Sequence, residues 1–181
     1  MDPQRTRRMT VDEFLAWSET APGRHELVGG EVVAMAPERV QHARLKFAVQ
    51  KALDAGLAGH PCEMLPDGMT VRIDEHTAYE PDALVTCEGP LDPHAVEVRA
   101  PVIVVEVLSP GTRRFDERGK LVEYFRLPSL HHYLLVDPDR RRVIHHRRAA
   151  EAIETRIVAT GLLHLDPPGV DLPLDVLFAR S

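Results

Sequence analysis

The chain has 181 residues, 44% of them hydrophobic, which is enough for one ordinary globular domain with a substantial core. Its 22 Lys and Arg residues against 28 Asp and Glu residues give a formal net charge of −6. This balance is not typical of proteins that coat nucleic acid non-specifically, although it leaves room for an enzyme that binds DNA through one local basic patch.

The sequence predicts a single domain over residues 1–181 that is soluble and cytoplasmic. The basic N-terminus has no apolar segment behind it, so we expect no signal peptide, and the longest apolar run is too short to span a membrane. Cys62 and Cys87 lie too far apart for a CxxC metal or redox motif and suggest a reducing compartment.

The first element predicted along the chain is a short amphipathic helix that begins at a capping box. Thr10 can accept a hydrogen bond from an unpaired amide while Glu13 reaches back, and Pro22-Gly23 closes the segment. A β-hairpin follows, because Gly29-Gly30 between two β-rich runs suits the positive φ angles of a two-residue turn. Within this hairpin, Glu26 is either a charge at the rim of the sheet or an acid that faces inward.

A second amphipathic helix is predicted from residue 41 to about residue 57, because apolar residues recur along one face of it. His42 lies in its first turn, where a lone histidine is usually a surface or capping group. Glycines and a proline end the helix, and residues 69–73 are predicted to form a strand.

The most informative stretch of the sequence is the apolar run over residues 101–110, which predicts a central strand covered on both faces. It contains one acid, Glu106, and burying a carboxylate is costly unless a cation or hydrogen-bond donors compensate. Glu106 therefore either ends the strand at solvent or is delivered to a cleft at the carboxyl end of the sheet. The preceding strand starts at Pro81-Asp82, so Asp82 is either a turn residue or a second acid at a strand end.

Beyond residue 110 the pattern predicts a helix that Pro128 stops. Asp116 and Lys120 share a face of this helix at i and i+4, which is also the spacing of an ordinary exposed ion pair. A buried strand over residues 133–136 and another over about residues 153–159 complete the predicted sheet. Between them lies the densest positive charge, which either contacts phosphate or lines a solvated edge strand: Arg140, Arg141, Arg142, Arg147 and Arg148.

Two acids on strands followed by a lysine on the next helix form a pattern typical of metal-dependent nucleases. Mg²⁺ prefers oxygen ligands and typically takes one or two carboxylates together with waters and substrate phosphate. Such an ion polarises the phosphoryl oxygen and lowers the pKa of a bound water, while a nearby lysine can orient that water or stabilise the developing charge. Asp82, Glu106 and Lys120 together therefore indicate phosphodiester hydrolysis.

The sequence resembles the Uma-two family of endonucleases, within the PD-(D/E)XK restriction-endonuclease-like superfamily. The resemblance covers nearly the whole chain and is carried by residues 9–15, 24–33, 81–82, 104–110, 116–124, 132–138 and 168–172. It implies an α/β restriction-endonuclease-like fold, with a mixed central β-sheet flanked by α-helices and with an N-terminal helix and β-hairpin. It also implies an endonuclease that acts on DNA with Mg²⁺ or Mn²⁺.

Carried over residue by residue, the resemblance implies that Asp82 and Glu106 are the metal carboxylates; in the mechanism that follows from it, the Val107 carbonyl is a candidate third ligand. The usual lysine of the superfamily lies two residues after the acid, where this chain has Leu108. In this family the lysine is displaced to the following helix, and Lys120 is the matching position.

The resemblance also assigns accessory positions and partners. Glu26 matches an acid of the hairpin that completes the site or holds a second ion, His42 matches a histidine at a helix start, and Asp116 is a further accessory candidate. Gly29 and Gly111 depart from the family pattern, but both lie in turns or loops. We expect DNA as substrate and a homodimer. The alternatives are a catalytically silent nuclease-like module that binds DNA or protein, and a structural homodimer with an unrelated ligand.

Overall fold

The architecture of the protein is seen in a computed structural model that describes residues 8–109 and 119–179. In chain order its elements are α1 (Val11–Ser18), β1 (His25–Val28), β2 (Glu31–Ala34), α2 (Val40–Gly56), β3 (Glu63–Pro66), β4 (Thr70–Arg72), β5 (Ala78–Tyr79), β6 (Ala83–Thr86), β7 (Glu97–Val98), β8 (Pro101–Val107), α3 (Leu121–Tyr124), β9 (His132–Asp137), β10 (Arg142–Arg148), β11 (Ile153–Val158), β12 (Leu162–Leu165), β13 (Val170–Pro173) and α4 (Leu174–Leu177).

The strands form three sheets, of which the largest carries the strands predicted to be central. Its order is β11-β10-β9-β8-β6-β3, with β8 and β9 parallel and the other neighbours antiparallel. A second sheet has the order β2-β1-β5-β4-β7, and β12 pairs with β13. The predicted α/β fold with a mixed central sheet is confirmed.

The two faces of the six-stranded sheet are covered by different parts of the chain, because successive side chains of a strand point in opposite directions. On one face Ile103 and Val105 pack against the apolar stripe of α2, including Leu45 and Val49. On the other face Val104 belongs to a core that contains Tyr79, Tyr124, Tyr133 and Leu108. The central strand β8 is therefore buried on both faces, as the apolar run over residues 101–110 predicted.

The N-terminal helix and hairpin also form as predicted. Thr10 Oγ1 accepts a hydrogen bond from the Glu13 amide at 3.2 Å, and Glu13 Oε2 accepts one from the Thr10 amide at 2.9 Å, which completes the capping box of α1. Gly29 and Gly30 adopt φ angles of 57° and 85° in the turn between β1 and β2. The hairpin places β1 beside β5, so Glu26 lies next to the segment that leads into β6.

Other features differ from the sequence-based expectations or lie outside them. Cys62 and Cys87 form a disulfide that joins the chain before β3 to the chain after β6, whereas their separation had suggested reduced thiols. In the predicted helix beyond residue 110, Asp116 lies outside the described residues, and α3 forms its described part. No helix in the described ranges has the length and apolar character needed to cross a bilayer. The single-domain organisation stays a prediction.

Candidate active site

Glu106 lies next to the last residue of β8 and is buried, with 6% of its surface exposed. Its side chain points to the face of the sheet that carries Tyr124. The Tyr124 hydroxyl donates a hydrogen bond to Glu106 Oε1 at 3.0 Å. Of the two sequence interpretations, the structure shows the inward one: this acid is inside the protein and is stabilised by donors rather than by water.

The ammonium group of Lys120 compensates the charge of Glu106. Lys120 immediately precedes α3, is 3% exposed, and places Nζ 2.9 Å from Glu106 Oε1 and 2.8 Å from Glu26 Oε1. Glu26 Oε1 also accepts a hydrogen bond from the Glu80 amide at 3.0 Å, so this hairpin acid faces inward. In the superfamily pattern the lysine that contacts Glu106 would stand at position 108. In this chain Lys120, next to α3, makes that contact instead.

Two tyrosines adjoin this cluster and remain protonated at neutral pH. Burial raises the pKa of Tyr124 well above its usual value, and the negative charges of Glu106 and Glu26 add to the effect. Burial, followed by the charge of Glu123, raises the pKa of Tyr79 to about 12. Tyr124 therefore acts as a hydrogen-bond donor to Glu106, while the ring of Tyr79 lies 5.0 Å from Lys120 Nζ.

Asp82 lies at the entrance to β6, on the neighbouring strand, and is 7% exposed. Its Oδ2 atom accepts a hydrogen bond from the Val107 amide at 2.7 Å, and its own amide donates to the Val105 carbonyl at 3.0 Å. Gln50 of α2 donates to the Asp82 carbonyl at 2.8 Å. These contacts attach Asp82 to the end of β8 and to α2 and fix the position of its carboxylate.

His42, in the first turn of α2, links Asp82 to the end of β8. Its Nε2 atom lies 2.8 Å from the Val107 carbonyl oxygen and 3.4 Å from Asp82 Oδ2, while Nδ1 lies 2.7 Å from Glu38 Oε1. Burial lowers the pKa of His42, but the hydrogen bond and charge of Asp82, with contributions from Glu38 and Val107, outweigh burial and raise it to about 9. At neutral pH the ring is therefore an imidazolium that donates from both nitrogens.

The groups around His42 have the chemistry of a cation site. Glu38 and Asp82 each offer a carboxylate oxygen, and His42 offers a ring nitrogen once its imidazolium has lost a proton; these atoms lie within 4.8 Å of one another. The Asp82 carboxylate and the Val107 carbonyl, which the resemblance named as ligands, approach the same charged ring nitrogen. Two oxygens that already attract a positive charge fit the preference of Mg²⁺ and Mn²⁺ for oxygen ligands.

The structure thus gathers the predicted residues into two neighbouring groups. Glu26, Glu106 and Lys120 form one group, which we call the closed cluster. Asp82, His42, Glu38 and the Val107 carbonyl form the other, which we call the open cluster. Adjacent residues of β8, Glu106 and Val107, connect the two. That Asp82 and Glu106 share one cation stays a prediction.

Sequence reasoning missed the polar face of α2 beside the open cluster. His42, Lys46 and Gln50 recur at intervals of four residues, and Lys46 is buried, with 7% of its surface exposed. Lys46 Nζ lies 2.5 Å from Glu38 Oε1 and 3.0 Å from Asp67 Oδ2. The interval of four was a readable signal, because it places these groups in one row on the helix next to its apolar stripe.

Four of the five arginines proposed to contact nucleic acid also contact groups of the protein, Arg141 through the ring of Phe178. Arg140 and Arg142 lie 3.4 and 3.7 Å from the buried carboxylate of Asp137. Arg148 donates hydrogen bonds at 2.7–2.8 Å to three backbone carbonyls, those of Leu130, Phe125 and Leu127. Arg148 therefore has a structural role, which the charge count alone could not distinguish from phosphate binding.

Comparisons with known proteins bear on the family and the fold of the chain. A family model described as "Uma2: Putative restriction endonuclease" matches residues 11–176. Two Synechocystis proteins are similar: "Uncharacterized protein sll1609" is 30% identical over 81% of this chain and 84% of that protein, and "Uncharacterized protein slr1290" is 28% identical over 94% and 92%. The crystal structure of a "putative nuclease belonging to DUF820" from Anabaena variabilis matches with a TM-score of 0.71 and 18% identity, covering 94% of this chain and 98% of that one.

Proposed function

The chain belongs to the Uma2 family of restriction-endonuclease-like proteins, and from this premise we propose that it is a Mg²⁺- or Mn²⁺-dependent endonuclease that hydrolyses DNA phosphodiester bonds. The observation that carries the proposal is the buried contact of Lys120 with Glu106, beside the oxygens of Asp82 and Val107. Burying an ion pair is seldom the most stable solution for a fold, so a buried pair of this kind near a strand end favours a chemical role.

In this proposal Asp82, Glu106 and the Val107 carbonyl would hold the divalent ion. When bound, such an ion supplies a polarised phosphoryl oxygen and a bound water of lowered pKa. The Val107 amide fixes the Asp82 carboxylate by its hydrogen bond, and the Tyr124 hydroxyl fixes that of Glu106. Both ligands are therefore oriented before substrate binds, which reduces the reorganisation needed during the reaction.

Lys120 supplies a fixed positive charge beside the metal ligands. Between Glu26 and Glu106 its ammonium group orients the attacking water or stabilises the charge that develops on the phosphate. Glu26 is a positioning residue, since its Oε1 atom holds Lys120 Nζ while the Glu80 amide holds that same oxygen. His42 is an accessory group that keeps Asp82 and the Val107 carbonyl close to one position before the cation arrives.

The proposal extends to the substrate and to the number of copies. Arg141 and Arg147 are the proposed phosphate contacts: Arg147 is exposed on β10, and the Arg141 guanidinium lies 5.8 Å from the centre of the Phe178 ring. Charged contacts to phosphate supply affinity that falls with salt and carry no sequence information. Two copies of the chain form the functional unit, located in the cytoplasm.

The test is cleavage of supercoiled plasmid in the presence of Mg²⁺, Mn²⁺ or a chelator. We expect the wild-type protein to nick the plasmid only with metal, Glu106→Ala to be inactive, and Lys120→Ala to lose about 10²–10³-fold in rate. Lys51→Ala, at an exposed lysine of α2, is the matched control and should retain full activity. Absence of cleavage with every metal would favour the silent binding module, and cleavage that persists in Glu106→Ala would reveal a contaminating nuclease.

A further inference from the structure

The outer strand of the six-stranded sheet, β11, is exposed along almost its whole length. Ile153 and Ile157 are 42% and 59% exposed, although they are the apolar residues of the strand that face the same side as Ile144 of β10. A strand with free edge hydrogen-bonding groups and exposed β-branched residues is a template for pairing with another chain.

The hydrogen bonds of β10 show which backbone groups of β11 point outward. The Arg148 amide bonds to His131 on the side of β9, and the next amide, that of Ala149, bonds to Ala152 on the side of β11. Because backbone groups alternate between the two edges of an antiparallel strand, Glu154, Arg156 and Val158 bond to β10. Ile153, Thr155 and Ile157 then present their N–H and C=O groups at the outer edge.

We propose that β11 pairs antiparallel with β11 of a second copy of this chain, around a two-fold axis at Thr155. In this register Thr155 faces the partner's Thr155 and Ile153 faces the partner's Ile157, so every outward backbone group of the three residues finds a complement. Glu154 faces the partner's Arg156, and the two-fold axis repeats that charge pair. Cross-strand pairs of opposite charge and of β-branched residues both stabilise a sheet.

The charges select this register over its neighbours. Sliding the second copy by two residues places Glu154 opposite the partner's Glu154 in one direction, and Arg156 opposite the partner's Arg156 in the other. Sliding the second copy by one residue places residues whose backbone N–H and C=O groups point outward opposite residues whose groups point toward β10. The strand is therefore self-complementary in one arrangement, as a contact between identical surfaces requires.

The other outer strands of the two larger sheets, within the described ranges, do not have this property, and in the two-stranded sheet β12 has no Asp, Glu, Lys or Arg and β13 has Asp171 alone. β3 contains Pro66, which lacks an N–H group, and β7 has two residues. β2 has exposed valines but a single charged residue, Glu31, so no register gives it an opposite charge. The inference deepens the proposed pairing of two copies and depends on no assumption about DNA cleavage.

The first experiment exchanges the charges and measures the mass of the protein in solution by light scattering over a concentration series. We expect Glu154→Arg and Arg156→Glu each to weaken the dimer on the order of tenfold or more, because each creates two like-charge contacts. The double variant should recover the wild-type dissociation constant. Glu151→Arg, at an exposed glutamate just before β11, is the matched control and should leave the dimer unchanged.

The second experiment tests the position of the axis by cross-linking. Hydrogen-bonded antiparallel residues have Cα atoms about 5.5 Å apart, within the range of a disulfide. Thr155→Cys should therefore form a covalent dimer on oxidation, whereas Ile153→Cys alone should not, because its partner position is 157. A monomeric wild-type protein at every concentration, a dimer unaffected by both single charge swaps, or equal cross-linking of the two cysteine variants would overturn the proposal. Neither experiment measures plasmid cleavage, so the proposed β11 dimer and the proposed endonuclease activity can each fail without the other.

Discussion

The closed and open clusters contain buried acids of nearly equal exposure but compensate their charges differently. Glu106 contacts a buried ammonium and a buried hydroxyl, whereas Asp82 contacts a backbone amide and an imidazolium whose other partner, Glu38, is exposed. The comparison teaches that two acids of similar burial can have counter-charges that differ in their access to solvent. The contacts around Asp82 reach the surface at Glu38, whereas Lys120, the counter-charge of Glu106, is 3% exposed.

The largest expected effect separates the two clusters by their lysines. Lys120→Ala leaves Glu26 and Glu106 buried without a cation, so the free energy of unfolding should fall by about 3–5 kcal/mol. Lys46→Ala should cost about 1 kcal/mol, because its partners Glu38 and Asp67 have side chains that are 33% and 26% exposed. Urea denaturation measures both values, and equal losses would show that the clusters do not differ in this way.

The buried pair of His132 and His145 carries no charge at neutral pH, so a pH titration compares it with the two charged clusters. His132 Nδ1 and His145 Nε2 lie 2.9 Å apart, and burial, followed by nearby positive charge, lowers the pKa of each to about 4. The unfolded chain takes up protons near its ordinary pKa of about 6.5, so stability is complete above that pH and falls as pH decreases toward 4. Because the two histidines share one hydrogen bond and titrate as a pair, the loss should be on the order of 3 kcal/mol for the pair.

The control for the pH experiment is a chain that lacks the pair. In His132→Leu/His145→Leu the slope of the free energy of unfolding between pH 6.5 and about pH 4 should be smaller than in the wild-type protein. His94→Ala, at an exposed position, should keep the wild-type slope. An unchanged slope in the double variant would mean that other groups cause the acid sensitivity.

The smallest expected effect tests cation exchange in the open cluster. Mn²⁺ should raise the melting temperature of the wild-type protein. At 100 times its dissociation constant, the ion should increase the free energy of unfolding by about 2.7 kcal/mol. Asp82→Asn should abolish this shift, while Asp67→Asn, at a neighbouring acid that binds Lys46, should retain it. A shift of the same size in both variants would place the cation elsewhere.

The extent to which sequence predicted these features follows from the range of the interactions involved. The apolar run around Glu106 is a local signal, so β8 and its acid were identified directly. The orientation of Glu26 depends on which face of the hairpin the rest of the chain covers, and local alternation could not decide it. The contact of Lys120 with Glu106 spans 14 residues; the order of two acids and a lysine suggested it, and the family resemblance assigned the position.

Two further features were missed: the spacing of the polar row on α2 was readable, but its burial was not, and neither was the disulfide. Lys46 and Gln50 lie in a polar row that resembles a solvated helix face, and only the packing of α2 against Asp67 and Asp82 buries them. The disulfide between Cys62 and Cys87 depends on β3 lying beside β6, a pairing that the sequence analysis did not predict. Both features arise from contacts between distant segments rather than from composition.

The interior contacts of Arg148 have a consequence for how mutational scans of this protein are interpreted. Its guanidinium satisfies carbonyls at the end of α3 and in the loop that follows, which is the segment that presents Tyr124 and Lys120. An alanine at this position would remove the guanidinium from the Phe125 and Leu130 carbonyls, leave Leu127 with its bond from the Leu130 amide alone, and loosen that segment. In a scan of basic residues for DNA contacts, Arg148→Ala would therefore score as a loss of binding although the residue never touches a phosphate.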